Sequence, residues 1–127
     1  MTHTFPIRVF YEDTDMAGIV YHANYLRYIE RARSDWVREA GVDQNAMRAR
    51  GVVFVVSRIE ADYIAPARFD DRLEVVTRIE QRSRVRLVFE QVVMRAGEAI
   101  FRARVTATCM DSRGRVVRLP EGLPGPG

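Results

Sequence analysis

The chain has 127 residues, 47% of them hydrophobic, and its 20 basic residues outnumber 17 acidic residues to give a formal net charge of +3. This length suits one globular domain, and the composition is ordinary for such a domain. The chain contains no run of about 18 apolar residues, so no membrane span is predicted. The basic residues are all arginines and alternate with acids, so no basic block argues for nucleic acid as a partner.

A single cysteine, Cys109, excludes an intrachain disulfide and is typical of a reducing compartment. The amino-terminal sequence MTHTFP lacks the charged and then apolar profile of a secretory signal. Together these features predict a cytoplasmic location.

The first predicted element is a strand at residues 4–11, where Phe5, Ile7, Val9 and Tyr11 alternate onto one face. Two acids, Asp13 and Asp15, and a short glycine-containing loop follow it. A carboxylate in front of a helix is a useful arrangement, because the first backbone N–H groups of a helix have no internal partners and favour negative charge.

The longest helical pattern covers residues 24–40, with Asn24 as the expected N-cap and Gly41 just past the end. Apolar residues recur at spacings of three and four, which predicts one buried stripe. Its members are Tyr25, Ile29, Ala32, Trp36, Val37 and Ala40. A short second helix is predicted at residues 44–50.

Beyond residue 52 the pattern changes to strands, at residues 52–63, 73–83, 85–96, 99–110 and 116–119. Ala96-Gly97 reads as a hairpin turn, and tight turns imply antiparallel pairing. We therefore predict an α+β fold in which a curved antiparallel sheet wraps one long helix, within a single domain at residues 1–120 and with a flexible tail at 121–127. Apolar residues assigned to the other sheet face, Val76, Val85 and Val93, favour pairing with a second copy.

A family resemblance accompanies this pattern. The segment YEDTDMAGIVYHANY at residues 11–25 resembles the signature of hotdog-fold acyl-CoA thioesterases of the 4-hydroxybenzoyl-CoA thioesterase class. Its continuation YIERAR at 28–33 is similar to the branch found with the Tol-Pal system, and further matches include DY at 62–63, PAR at 66–68 and RLVFEQ at 86–91. The resemblance implies a hotdog fold of five or six strands, dimers paired edge to edge, often tetramers as dimers of dimers, and active sites at the dimer interface.

Asp15 matches the acid that carries the chemistry in that family. The resemblance implies that it is either the nucleophile on the thioester carbonyl or the general base for water, and sequence does not separate these roles. Asp13 is expected to have a supporting place in the loop. Glu30, on the helix, is a competing carboxylate for which a solvated role is favoured.

His22 matches the position whose backbone N–H polarises the thioester oxygen, a role that does not require its imidazole. Tyr21 and Asn24 flank this position, so Tyr21 is expected to line the acyl pocket and Asn24 to cap the helix.

Arg82, Arg84 and Arg86 recur with period two, which on a strand places all three on one face. Three guanidinium groups there could hold the phosphates of coenzyme A. The resemblance implies that Arg84 is the best single candidate, because it falls nearest the basic stretch that contacts nucleotide phosphates in related enzymes. An equally weighted interpretation is a solvated sheet face on which these arginines pair with Glu80 or Glu90.

No cofactor and no metal are expected. An EF-hand loop beginning at Asp13 fails, because Ala17 stands where an oxygen ligand belongs and Asn24 stands where the glutamate at position 12 belongs. Zinc lacks ligands, since the second histidine, His3, is assigned to a loose terminus. Cys109, in mid-strand, is expected to be a small buried apolar residue rather than a nucleophile.

The sequence thus predicts hydrolysis of acyl-CoA to a free acid and coenzyme A by a homo-oligomer. Two alternatives stay open. The thioester could be carried by an acyl carrier protein, whose acidic surface suits a basic partner, or the protein could bind acyl thioesters without turning them over.

Overall fold

The computed structural model describes residues 2–127. Its elements in chain order are β1 (His3–Arg8), a 3-10 turn (Tyr11–Asp13), α1 (His22–Glu39), α2 (Gln44–Ala49), β2 (Val53–Tyr63), β3 (Arg72–Arg82), β4 (Leu87–Arg95), β5 (Glu98–Met110) and β6 (Val116–Val117). Neither α1 nor α2 combines the length and apolar content needed to cross a membrane.

All six strands form one antiparallel sheet in the order β1-β3-β4-β5-β2, with β6 paired to the end of β5. Irregularities in register occur near Ser57, Glu80 and Met94, and such bulges bend and twist a sheet. At the β4–β5 hairpin, Ala96 (φ 49°) and Gly97 (φ 83°) both have the positive φ that a two-residue turn of this kind needs. The predicted α+β layout, a curved antiparallel sheet with one long helix, is confirmed.

Helix α1 packs its apolar stripe against the concave face of the sheet. Trp36 is 8% exposed and meets Phe89 edge-on, with ring centroids 5.2 Å apart. Near the other end, the Tyr25 ring stacks on Phe101 at 4.9 Å. Each fully buried large apolar side chain stabilises the fold by about 1.5–3 kcal/mol relative to exposure, so this stripe is what holds the helix in place.

One buried polar side chain also joins the helix to the sheet. The Gln91 amide on β4 donates to the backbone oxygen of Ile29 at 2.9 Å and to Thr77 Oγ1 at 3.0 Å, and its oxygen accepts from Arg33 at 2.9 Å. Burial lowers the pKa of Arg33. A buried amide with partners on both sides fixes the position of α1 along the sheet.

Two predicted boundaries at the amino-terminal half were wrong. Strand β1 ends at Arg8, because the Asp13 carboxylate accepts from the Phe10 N–H at 2.8 Å and turns the chain, which leaves Tyr11 80% exposed instead of in the core. Helix α1 begins at His22, so Asn24 is not its N-cap; its side-chain amide donates to the Asp13 backbone oxygen at 2.9 Å.

The outer face of the sheet also differs from the prediction. Val93 is buried in the core and Val85 lies in the turn between β3 and β4, so only the half-buried Val76 lies on the outer face as predicted, among charged residues. Their ion pairs include Arg78–Glu90 at 2.9 Å and Arg104–Glu80. At the carboxyl end, Leu123 lies in the segment predicted to be a flexible tail, yet its side chain is 4% exposed and packs with the core.

Candidate active site

The loop between the 3-10 turn and α1 is tightly closed around Asp15. The Asp15 N–H donates to the Ile19 oxygen at 2.9 Å, and the Gly18 N–H donates to the Asp15 oxygen at 3.0 Å. Gly18 has φ +78°, a conformation that glycine adopts without strain. The exposed Asp15 carboxylate accepts from the Ala17 N–H through Oδ1 at 2.9 Å, and Oδ2 has no protein partner within residues 2–127. One carboxylate oxygen is thus positioned and the other is available.

Backbone hydrogen bonds hold this loop against the start of α1. The Asp13 oxygen accepts from the Tyr21 N–H at 2.9 Å as well as from Asn24, and the Val20 N–H donates to the Ala67 oxygen at 2.8 Å. Asp13 therefore supports the loop. The loop and the first turn of the helix form one connected unit.

His22 is the first residue of α1. Within the described part of the chain, neither its backbone N–H nor that of Ala23 has an acceptor. Free N–H groups at a helix start, together with the helix dipole, favour a developing negative charge. The His22 ring lies on the Tyr21 ring with centroids 4.5 Å apart, and both side chains are exposed.

Asp15 and His22 line the same open cavity of about 430 Å³. Its other walls are mostly apolar: Ile19, Val20, Tyr25, Tyr63, Ile64, Ala65 and Pro66. The structure thus brings together a partly unpaired carboxylate, free helix N–H groups and an apolar wall. Tyr21 and Asn24 lie beside this cavity and do not line it.

Tyr63 is a residue of this site to which the sequence analysis gave no role. Its hydroxyl donates to the His22 backbone oxygen at 2.8 Å, and its ring meets Tyr25 and Phe101 edge-on. Desolvation raises the pKa of Tyr63, so the hydroxyl keeps its proton and remains a donor. The only sequence signal for it was its place in the family pattern at residues 62–63.

A clamp behind the cavity was missed as well. Arg95 donates to the Pro66 oxygen at 2.7 Å and to the Asp71 carboxylate at 3.0 Å, and Asp71 also accepts from the Arg68 N–H at 2.8 Å. This clamp fixes the turn whose Ala67 pairs with Val20. Arg95 lies 29 residues from Pro66 and 24 residues from Asp71 in sequence, so periodicity did not reveal these two contacts.

The three arginines predicted on one strand face are not on one strand. Strand β3 ends at Arg82 and β4 begins at Leu87, while the Ser83 N–H donates to the Arg86 oxygen at 2.8 Å across the turn. The alternation of side chains between the two faces of a strand therefore does not apply to Arg84 and Arg86. All three side chains are exposed, and none forms an ion pair within residues 2–127, so the predicted pairing with Glu80 or Glu90 is also wrong.

The arginine turn lies at the opposite end of the sheet from Asp15 in the same protomer. Arg82 is level with Leu87, Ala107 and Val56, whereas the cavity lies at the Tyr63 end of β2. Seven residues of extended strand separate these levels, roughly 23 Å. Within one protomer, the arginines and Asp15 are not brought together.

The other candidates lie outside the cavity. Glu30 is exposed and accepts from Ser34 at 3.1 Å. Cys109 is fully buried, and burial raises the pKa of its thiol to about 11, which disfavours a nucleophilic thiolate.

An antiparallel sheet wrapped around one long helix is the architecture of the hotdog-fold thioesterases. A probable thioesterase from Bartonella henselae superposes with a TM-score of 0.89 at 34% identity, covering 94% of this chain and 100% of that one. The chain belongs to the Thioesterase-like superfamily, whose family model matches residues 9–124.

Two relatives named as acyl-CoA thioesterases are similar to this chain in sequence. The chain is 43% identical over 107 residues to the acyl-CoA thioester hydrolase YbgC of Escherichia coli, covering 84% of this chain and 80% of the relative. It is 38% identical over 109 residues to the acyl-CoA thioesterase YbgC of Haemophilus influenzae, covering 85% and 80%.

Proposed function

We propose that this protein is an acyl-CoA thioesterase, which hydrolyses the thioester of an acyl-CoA to a free acid and coenzyme A. The observation that carries the proposal is the shared cavity, where the Asp15 carboxylate and the amino end of α1 lie against an apolar wall. The names of its YbgC relatives support the same substrate class.

In the proposed reaction the thioester carbonyl oxygen accepts hydrogen bonds from the free N–H groups of His22 and Ala23. Negative charge that develops on this oxygen is stabilised by these donors and by the helix dipole. Asp15 either attacks the carbonyl carbon itself or removes a proton from the attacking water. The carbon–sulfur bond then breaks, and the departing thiolate takes up a proton. Where Asp15 itself has attacked, water then hydrolyses the mixed anhydride, which releases the free acid and restores the carboxylate.

The side chains around this centre have secondary roles in the proposal. The His22 imidazole, exposed and stacked on Tyr21, orients the thioester arm, while its backbone supplies the N–H. Tyr21 contributes an apolar surface beside the cavity, and Asn24 holds the Asp15 loop through Asp13. No metal or other cofactor takes part in the proposed hydrolysis.

The test is Asp15→Asn, which keeps the shape of the side chain and removes its charge. We expect kcat/KM for acyl-CoA hydrolysis to fall by about 100-fold or more, because both possible roles need the carboxylate. The matched control is Glu12→Gln, an exposed acid three residues away that makes no described contact. Equal rates for Asp15→Asn and Glu12→Gln, in variants with unchanged unfolding midpoints, contradict the assignment.

The proposal includes a dimer formed through strand β2. This strand is an edge of the sheet, eleven residues long, and nine of its residues are exposed. Several of them are large and apolar, among them Val56, Ile59 and Tyr63 at 45%, 39% and 51% exposure. A long unpaired edge of this kind favours pairing with another strand, and a second copy of β2 in antiparallel orientation continues the sheet.

Such a dimer gives the exposed arginines a role. Antiparallel pairing of two β2 strands turns the Val56 end of one protomer toward the Tyr63 end of the other. The turn that carries Arg82, Arg84 and Arg86 is level with Val56, so it lies on the side of the partner's cavity. We propose that these arginines bind the coenzyme A phosphates of the substrate whose thioester reaches the partner's Asp15.

A further inference from the structure

A second cluster of titratable side chains lies at the carboxyl end of α1, away from the proposed active site. It consists of His3 at the start of β1 and of Asp35 and Glu39 in the last turns of α1. Asp35 is thirteen residues beyond His22, roughly 20 Å along the helix axis. The proposed hydrolysis uses none of these three residues.

The donor atoms of this cluster converge on one point. His3 Nε2 lies 2.8 Å from Asp35 Oδ2 and 2.8 Å from Glu39 Oε2, and the three donor atoms all lie within 4.8 Å of one another. Asp35 and Glu39 reach the same side because residues four apart are neighbours on a helix surface. The His3 side chain is only 9% exposed, so its ring is held in this position.

A simple ion pair leaves this arrangement poorly satisfied. A histidine has one proton at Nε2, and here that proton faces two carboxylates. Arg38 binds the other oxygen of Asp35 at 3.2 Å and contacts neither Glu39 nor His3.

We infer that His3, Asp35 and Glu39 bind a divalent transition-metal ion, and that Zn²⁺ fits their donor atoms best. One imidazole nitrogen and two carboxylate oxygens are ligands that zinc takes at about 2.0–2.2 Å. Tetrahedral coordination at that length separates ligand atoms by about 3.3 Å, so the present 2.8 Å contacts need to open by about half an ångström. Glu39, whose side chain is 65% exposed, has the freedom to make that movement.

The site has room for a fourth ligand. His3 and Glu39 line an open cavity of about 450 Å³ together with Trp36, Ile79 and residues near the carboxyl end. A water molecule there would complete the coordination. The sequence analysis excluded zinc by assigning His3 to a loose terminus, but the structure pairs His3 with Thr77 as the first residue of β1. The bound ion would join this edge strand to the central helix.

The test is Zn²⁺ titration of chelator-treated protein, followed by calorimetry. We expect one ion per chain with a Kd of about 10 µM or tighter. We also expect a rise in the unfolding midpoint on the order of 10 °C at a hundredfold excess over that Kd. His3→Ala and Glu39→Gln should each weaken binding by about tenfold or more. Cobalt in place of zinc should give the visible absorption of a tetrahedral site, a readout independent of enzyme activity.

The matched control for binding is His22→Ala, which removes the only other histidine. Zn²⁺ affinity that is retained in His22→Ala and lost in Glu39→Gln supports the assigned ligands. Because the Glu39 side chain is exposed, Glu39→Gln should fold normally. Binding that His3→Ala and Glu39→Gln both leave unchanged overturns the inference, as does the failure of the unsubstituted protein to bind Zn²⁺. In the latter case the cluster is an ion pair only.

Discussion

Tyr63 connects the sheet to the amino end of α1 through a single hydroxyl. Because this hydroxyl donates to the His22 backbone oxygen, it fixes the direction of the free N–H groups in the first turn. We predict that Tyr63→Phe lowers kcat/KM for acyl-CoA hydrolysis about fivefold, the equivalent of one lost hydrogen bond of about 1 kcal/mol.

The control for this prediction is Tyr11→Phe, which removes a hydroxyl without a described partner from a residue that is 80% exposed. Steady-state kinetics and thermal unfolding of both variants check the effect. A kcat/KM for Tyr63→Phe equal to that of Tyr11→Phe would show that the hydroxyl does not position the helix.

Cys109 contributes to stability in a pH-dependent way. Burial raises the pKa of its thiol to about 11, whereas an unfolded chain ionises its thiols near pH 8.5. As the pH rises above 8.5, the unfolded state loses the proton first, so the contribution present at neutral pH is lost between about pH 8.5 and 11.

We predict that Cys109→Ala reduces the loss of unfolding free energy between pH 8 and pH 10 by about 2 kcal/mol. Urea titrations of the two proteins at both pH values measure this difference, and comparison at each pH cancels the titration of the tyrosines. An identical pH dependence in both proteins would mean that the thiolate is tolerated in the core.

At the residue scale, sequence reasoning identified the residues of local patterns and missed those defined by long-range contacts. Asp15 and His22 belong to one continuous segment, and its family resemblance suggested both; the structure places them on one cavity, and their catalytic roles stay a prediction. Tyr63 and Arg95 act through partners 41 and 29 residues away, and no local spacing signals such contacts. Asn24 was given the wrong role because its amide finds a distant backbone oxygen on Asp13 instead of capping its own helix.

At the element scale, Gln91 determines how α1 sits on the sheet. Its amide satisfies partners on the helix and on β3 at once, so truncation leaves buried polar groups unpaired. We predict that Gln91→Ala lowers the free energy of unfolding by about 3 kcal/mol. The exposed Gln81→Ala on the neighbouring strand should stay within about 0.5 kcal/mol of the unsubstituted protein. Urea denaturation compares the two, and similar midpoints would refute the role of Gln91.

The elements themselves followed closely from sequence periodicity. The apolar stripe of α1 and the alternation along the strands both mark the side chains that are buried between the helix and the sheet, so these elements could be predicted. Arg84 and Arg86 show where that reasoning stops. Alternation continued through residues 82–86 although the backbone turns there, because a polar turn and a solvated strand face have the same composition. The 3-10 turn at Tyr11–Asp13 escaped prediction for a related reason, since a hydrogen bond from the Phe10 N–H to the Asp13 carboxylate creates it.

At the scale of the whole molecule, the proposed dimer predicts sites shared between subunits. A mixed dimer of one Asp15→Asn subunit and one Arg84→Ala subunit has one site in which both substitutions meet and one in which both residues are native. At low acyl-CoA concentration, we predict that such a dimer keeps about half of the unsubstituted activity. Arg84→Ala homodimers should lose about tenfold or more, from the loss of a charged hydrogen bond.

Differently tagged subunits, coexpressed and purified through both tags, provide the mixed dimer for this assay. In the control homodimer, Arg102→Ala on the outer sheet face takes the place of Arg84→Ala, and this distant arginine should not affect hydrolysis. If Arg84 serves the Asp15 of its own subunit, the mixed dimer is no more active than the average of the two homodimers, and the proposed arrangement fails.

The strand order has a consequence for synthesis of the protein. The strands β3, β4 and β5 are neighbours in both sequence and sheet, whereas Val53 pairs with Met110 and His3 with Thr77, partners more than fifty residues apart. A growing chain therefore carries β1, β2 and the apolar side of α1 for several seconds before their partners leave the ribosome, at typical rates of about 5–20 residues per second. During translation, the apolar side of the central helix is therefore made before the strands β3, β4 and β5 that cover it.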